Sequence, residues 1–161
     1  MHEKMEKNRK QIDEIDLKLL NLLQDNSRIT IRNLSEKLYL STTPIYERIK
    51  KLEKSGLIKQ YITLLDPKKI DRNLIVFISI NLTKHTKEVV EGFEKAIARL
   101  DEVSECYYIS GNFDFLLKVY CKDMDAYHDF LTDKLSVIEN ISQFYSSFVL
   151  TNSKLSYKFK L

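Results

Sequence analysis

Residues 30–55, TIRNLSEKLYLSTTPIYERIKKLEKS, decide how the rest of this chain is read. They divide into two short amphipathic helices joined by a tight turn. Thr30 is a candidate N-cap, and Leu34 and Leu38 fall on one side of the helix that follows. Ser41 is a candidate N-cap for the next helix. Pro44 falls in its first turn, where a missing N–H costs least. Ile45, Ile49 and Leu52 recur at i, i+4 and i+7, which predicts the buried face. Gly56 supplies a left-handed stop.

The other side of that helix carries Thr42, Thr43, Tyr46, Glu47 and Lys50, with further cations along its flank. Such a helix suits the major groove of DNA. Hydroxyls reach several bases, Glu accepts from cytosine, and Lys donates to guanine. These five residues are the candidates for base edges. Arg28, Arg32, Ser41, Arg48, Lys51, Lys54 and Lys59 are placed for phosphates, which position without specifying. Two plainer readings stand beside this one. Lys50, Lys51 and Lys54 also fit an ordinary solvated face, and Arg48 also fits a pairing with Asp16 or Glu53.

Upstream, Ile12, Ile15, Leu19, Leu20, Leu22 and Leu23 have helical spacing, with Asp13, Glu14 and Asp16 at the end favoured by the helix dipole. Asp25-Asn26-Ser27 supplies a loop. Residues 1–11 are highly polar and are predicted to fray. Residues 1–60 thus form a winged-type helix-turn-helix domain. After Gly56 the apolar period falls toward 2, so Leu57–Leu64 predicts a strand. Asp66-Pro67 breaks it, and residues 61–73 are read as strand and linker.

Residues 74–161 change character. Leu74–Leu82 is β-branched and aromatic, hence a strand. Lys87–Leu100 has helical spacing. Val103–Ile109 and Phe115–Cys121 predict two strands around Ser110-Gly111-Asn112-Phe113-Asp114. Asp125–Leu135 returns to helical spacing, and Ile141–Leu150 predicts the last strand of the sheet. The order β-α-β-β-α-β predicts a ferredoxin-like, split βαβ sandwich with both helices on one face. The chain is therefore α+β. Phe77, Tyr108, Tyr120 and Phe148 are the candidates for the bare face, which calls for a second copy. Leu155–Phe159 can add a short strand.

Composition narrows the function classes. The chain has 161 residues and a net charge of +3. Residues 1–60 hold 13 Lys/Arg against 9 Asp/Glu, and the remainder 13 against 14, so the basic surplus lies in the helical third. Cys106 and Cys121 are too few for a disulfide framework, and no His, Cys or carboxylate cluster has metal-ligand spacing. No nucleophile elbow or phosphate-binding loop occurs, so the chain is read as not an enzyme and as needing no cofactor. No apolar run approaches a membrane span and no signal peptide is visible, which gives a cytoplasmic expectation.

Together these anchors resemble the Lrp/AsnC, or feast/famine, family of transcription regulators. The N-terminal resemblance lies in Ile15-Asp16, Leu19-Leu20, Leu23-Gln24, Arg28-Ile29, Leu34, Leu40-Ser41, Pro44, Arg48-Ile49, Leu52-Glu53 and Gly56-Leu57-Ile58. The C-terminal resemblance lies in Glu105-Cys106, Ser110 to Asp114 and Leu116-Leu117-Lys118. It implies a dimer assembling further, often to an octamer, on a pseudopalindromic duplex within the nucleoid. It also implies a free amino acid such as leucine or methionine bound at a dimer–dimer cleft lined by Ser110, Gly111, Asn112, Phe113 and Asp114, with Ser146 a weaker candidate. By its residues alone that loop is also a plain hairpin turn. Five positions depart from the family pattern: Asn112, Phe144, Glu139-Asn140 and Tyr39. The alternative to a specific regulator is a DNA-compacting protein with little sequence preference and no effector.

Overall fold

A computed structural model describes residues 12–161, so the polar stretch 1–11 lies outside the described residues. The described residues divide into two compact units, 12–64 with 155–161, and 65–154.

The first unit is built on three helices: α1 (Glu14–Asp25), α2 (Ile31–Leu38) and α3 (Thr42–Lys54). Asp13 caps α1. Its carboxylate accepts from the Asp16 N–H at 2.8 Å, and Asp16 accepts in return from the Asp13 N–H at 3.3 Å. This reciprocal arrangement satisfies two otherwise orphaned donors. Thr30 caps α2 through its hydroxyl. Ser41 holds the N-cap position of α3 but makes no side-chain capping bond. Leu19, Leu20, Leu34, Ile45 and Leu52 form the core of this unit, with Ile49 packed against it. Each fully buried aliphatic contributes about 1.5–3 kcal/mol. Gly56 (φ +75°) turns the chain out of α3, in the left-handed region where a glycine is unstrained.

The strand expected over Leu57–Leu64 does not form, and neither does the short one at Leu155–Phe159. Both have strand-like sequence. A strand also needs a ladder partner for its N–H and C=O groups, and period-2 spacing cannot supply one. The tail instead docks on α1. The Gln24 amide donates to the Phe159 carbonyl at 3.1 Å and accepts from the Phe159 N–H at 2.7 Å. Lys158 pairs with Asp25 beside it. Leu155, Tyr157, Phe159 and Leu161 alternate along the tail and line a groove with Leu20, Leu23 and Ile58.

The second unit opens with a 3₁₀ turn, Pro67–Ile70, capped by Asp66. It then forms β1 (Leu74–Leu82), α4 (Lys87–Ile97), β2 (Val103–Tyr108), β3 (Phe115–Cys121), α5 (Met124–Asp129) and β4 (Ile141–Phe148). The sheet order is β2-β3-β1-β4, and every neighbouring pair is antiparallel. Strict alternation in β1 and β3 buries Val76, Ile78, Ile80, Leu82, Phe115, Leu117, Val119 and Cys121. These pack under Phe93 and Ile97 of α4 and under Tyr127, Phe130 and Leu135 beyond it, so both helices cover one face. α5 is shorter than its spacing predicts. It passes into a π turn, Phe130–Leu135, which buries both end residues.

The bare face differs from expectation at two of four positions. Phe77 and Tyr120 lie on it. Tyr108 is paired with Phe115 and Phe148 with Val76, which places both on the helix side. There Tyr108 meets the Phe115 ring at 4.9 Å and Phe148 meets Tyr127 at 5.3 Å. In β2 the cause is a register shift between Val103 and Glu105, which reverses the parity of everything after it.

Candidate nucleic-acid interface and effector loop

α3 presents two chemically distinct sides. Ile45 and Leu52 are buried, whereas Thr42, Thr43, Tyr46, Glu47 and Lys50 are all exposed, as are Lys51 and Lys54. The residues picked as base readers therefore share the side facing away from the core. Lys50 donates to Glu53 at 3.1 Å and lies over the Tyr46 ring at 5.7 Å. The Tyr61 hydroxyl, from the chain beyond the helix, donates to the other Glu53 oxygen at 3.2 Å. Burial and this carboxylate raise the Tyr61 pKa, and Glu53 raises that of Lys50.

Among the phosphate candidates, Arg28, Ser41, Lys54 and Lys59 are exposed. Arg32 is also exposed, with a surface pair to Glu36 at 3.1 Å. Arg48 is placed differently, half-buried against α1. Its guanidinium reaches both Asp13 and Asp16 at 2.6 Å, and Asp16 is only 1% exposed. A carboxylate removed from water needs its counter-charge, so Arg48 is held inward as an internal clamp. Hydrogen bonding to Asp16 and then Asp13 raises the Arg48 pKa. The Asp13 carboxyl is held below the usual carboxylate range, first by the Asp16 N–H and then by Arg48.

In the second unit, Ser110, Gly111 and Asn112 form an exposed loop between β2 and β3, and Phe113 is half-buried. Gly111 has φ +133°, a conformation L side chains rarely adopt. Asp114 is engaged by the fold. One carboxylate oxygen accepts from the Leu82 N–H at 2.8 Å and the other lies 2.7 Å from His85 Nε2. Its own N–H donates to Ile80. Asp114 thus pins the hairpin to the end of β1. Ser146 is likewise engaged. It pairs with Ile78 on the helix side, and its hydroxyl bonds the Tyr127 hydroxyl. Phe144, opposite Ile80, packs into the core.

Two residues beside the loop were missed in the sequence. Tyr145 of β4 meets the Phe113 ring edge-on at 5.5 Å, and His85 meets Asp114. Neither carries a local motif. Only the antiparallel pairing brings segments about thirty residues apart to one sheet end. Asn140 takes φ +67°. Asn tolerates this, and its carbonyl accepts from the Thr83 N–H at 2.8 Å. Among the described residues no group of three or more His, Cys, Asp or Glu is arranged to hold a metal ion, and no helix is long and apolar enough to cross a membrane.

Comparison with known proteins bears on both units. Residues 12–59 match a winged helix-turn-helix DNA-binding family, and residues 75–159 match the Lrp/AsnC ligand binding domain. The leucine-responsive regulatory protein of Haemophilus influenzae is 46% identical over 129 residues, covering 80% of this chain and 78% of that protein. The protein of the same name from Escherichia coli K12 is 38% identical over 147 residues, covering 91% and 90%. A transcriptional regulator from Neisseria meningitidis, solved as a complex with L-Met, superposes with a TM-score of 0.88 at 34% identity, covering 92% of this chain and 96% of that one. An AsnC family regulator from Agrobacterium tumefaciens superposes with a TM-score of 0.88 at 35% identity, covering 92% and 97%. With a helix-turn-helix match on one unit, a ligand-binding-domain match on the other and relatives spanning both, this chain belongs to the Lrp/AsnC family of transcription regulators.

Proposed function

We propose that the protein is a sequence-specific transcription regulator that reads a pseudopalindromic duplex through α3 and answers to a free amino acid through its second unit. The observation that carries the DNA half is the exposed stripe on α3. Thr42, Thr43, Tyr46, Glu47 and Lys50 lie together opposite a core of Ile45 and Leu52. They take base edges, and Arg28, Arg32, Ser41, Lys51, Lys54 and Lys59 take phosphates. A DNA-compacting surface would be more cationic, and Glu47 would repel phosphate. That alternative predicts nearly equal affinity for all duplexes, so the ratio of specific to nonspecific affinity separates the two. In gel shifts at several salt concentrations, Lys50→Ala and Thr43→Ala should each cost about 1–3 kcal/mol on the preferred sequence and relax its preference. Lys54→Ala should weaken binding to preferred and scrambled duplexes alike. Equal losses on both for all three variants would defeat the assignment.

The effector half rests on the loop Ser110 to Phe113, whose Gly111 leaves backbone N–H groups accessible to a carboxylate. A relative solved with L-Met supports an amino acid of leucine or methionine type. In a single chain the loop is exposed, which favours a site completed by another copy, in dimers that build a larger assembly such as an octamer. The setting is the cytoplasmic nucleoid. Calorimetry against the twenty amino acids, paired with sedimentation, tests this. No heat and no change in assembly with any of them would leave the second unit with an assembly role alone.

A further inference from the structure

Lys50 is the one cation among the proposed base readers, and a lysine on a free stem is a poor reader. Its four-carbon arm samples many rotamers, and its point charge finds the phosphates of any sequence. Here the arm is not free. The ammonium donates to Glu53 at 3.1 Å, one turn further along α3, and stands 5.7 Å over the Tyr46 ring, one turn back. The restraint extends beyond the helix. Glu53 is half-buried, and its second oxygen is held by the Tyr61 hydroxyl at 3.2 Å. Tyr61 stands on the chain leaving the helical unit, after Gly56 has turned it out of α3. An ammonium has three donors, so one bond to Glu53 leaves two for acceptors on a base.

We infer that Glu53 and Tyr61 are positioning residues for DNA readout, holding the Lys50 ammonium along the base-facing side of α3 and away from sequence-indifferent phosphates. This rests on the reading of Lys50 as a base contact. It adds that specificity depends on two residues that touch no DNA. One of them lies on the segment leading out of the unit, so the posture of that segment bears on what α3 reads.

The full-length chain serves for the test, on a duplex selected from a random pool and on a scrambled copy, each at several salt concentrations. Tyr61→Phe removes the hydroxyl without changing charge or ring volume. It should raise affinity for scrambled duplex roughly two- to five-fold, the worth of one exposed ionic restraint. The specificity ratio should fall by a similar factor. The slope of log affinity against log salt on scrambled duplex should steepen, by at most about 0.9 for one added phosphate contact. Glu53→Gln should move the same quantities further. In a Lys50→Ala background, the effect of Tyr61→Phe on ratio and slope should vanish. A merely structural Tyr61 would instead lower the melting temperature and weaken both duplexes in parallel. That result, or an unchanged ratio, overturns the inference. If Lys50→Ala itself leaves the ratio intact, the base-contact reading has failed. If Lys50→Ala relaxes preference while Tyr61→Phe does nothing, only the present inference has failed.

Discussion

At the scale of single residues, the helical unit holds one internal clamp and one strained turn. Arg48 links α3 to α1 through Asp13 and Asp16, and Asp16 is almost wholly out of water. Removing one partner of a buried pair leaves an uncompensated charge, so Arg48→Ala should cost about 3 kcal/mol in a denaturant melt. Once unfolding is accounted for, its affinity for preferred and scrambled duplexes should be unchanged. A remaining loss shared by both would return Arg48 to the phosphate contacts. Tyr39 occupies the turn before α3 at φ +55°, and its ring is 94% exposed. A bulky residue in the left-handed region costs about 1–2 kcal/mol, and little packing offsets it here. Tyr39→Gly should therefore raise the melting midpoint of the helical unit. A lowered midpoint would mean that the ring makes a stabilising contact.

At the scale of elements, the sheet of the second unit is stabilised differently on its two faces. Phe115 sits under both the Phe93 and Tyr108 rings, at 4.5 and 4.9 Å, and is fully buried. Phe115→Ala should cost about 3–5 kcal/mol by chemical denaturation. On the other face, Glu105 of β2 accepts from Lys118 of β3 at 2.8 Å and from Tyr107 at 2.5 Å. Lys118 first, then Tyr107, holds the Glu105 carboxyl below its usual range. A depressed carboxyl contributes stability above its unfolded pKa, about 4.3, and loses that contribution as pH falls through the folded value. The protein should therefore weaken on acidification below about pH 4.3, and Lys118→Met should flatten that slope. An unchanged slope would place the acid sensitivity elsewhere. Element identity was largely legible, because periods of 3.6 and 2 reflect which side of a backbone meets apolar neighbours. Ends and parity were less so. The β2 register shift moved Tyr108 to the helix side, and the π turn cut α5 short. Both are settled by packing against other elements, which no local window contains.

At the scale of the whole molecule, the chain returns to where it began. After β4 the tail joins the helical unit, with Gln24 engaging both polar groups of Phe159 and Lys158 pairing with Asp25. Deleting residues 155–161 should lower the stability of the helical unit by about 1–2 kcal/mol, the worth of two modest hydrogen bonds. Hydrogen exchange in α1 should report it, and Gln24→Ala should reproduce most of the effect. Unchanged exchange in α1 would show the tail to be dispensable to that unit. Sequence alone determined the three helices, the βαββαβ order and the exposed side of α3, since each is written in spacing between near neighbours. Tertiary structure alone decided that Arg48 turns inward, that Asp114 and Ser146 are engaged by the fold, that Tyr145 joins the loop and that the tail closes on α1. Those outcomes are pairings between residues distant in the chain. A hydrogen bond or ion pair goes to whichever partner the fold brings within about 3 Å, and spacing along the chain carries no record of that distance.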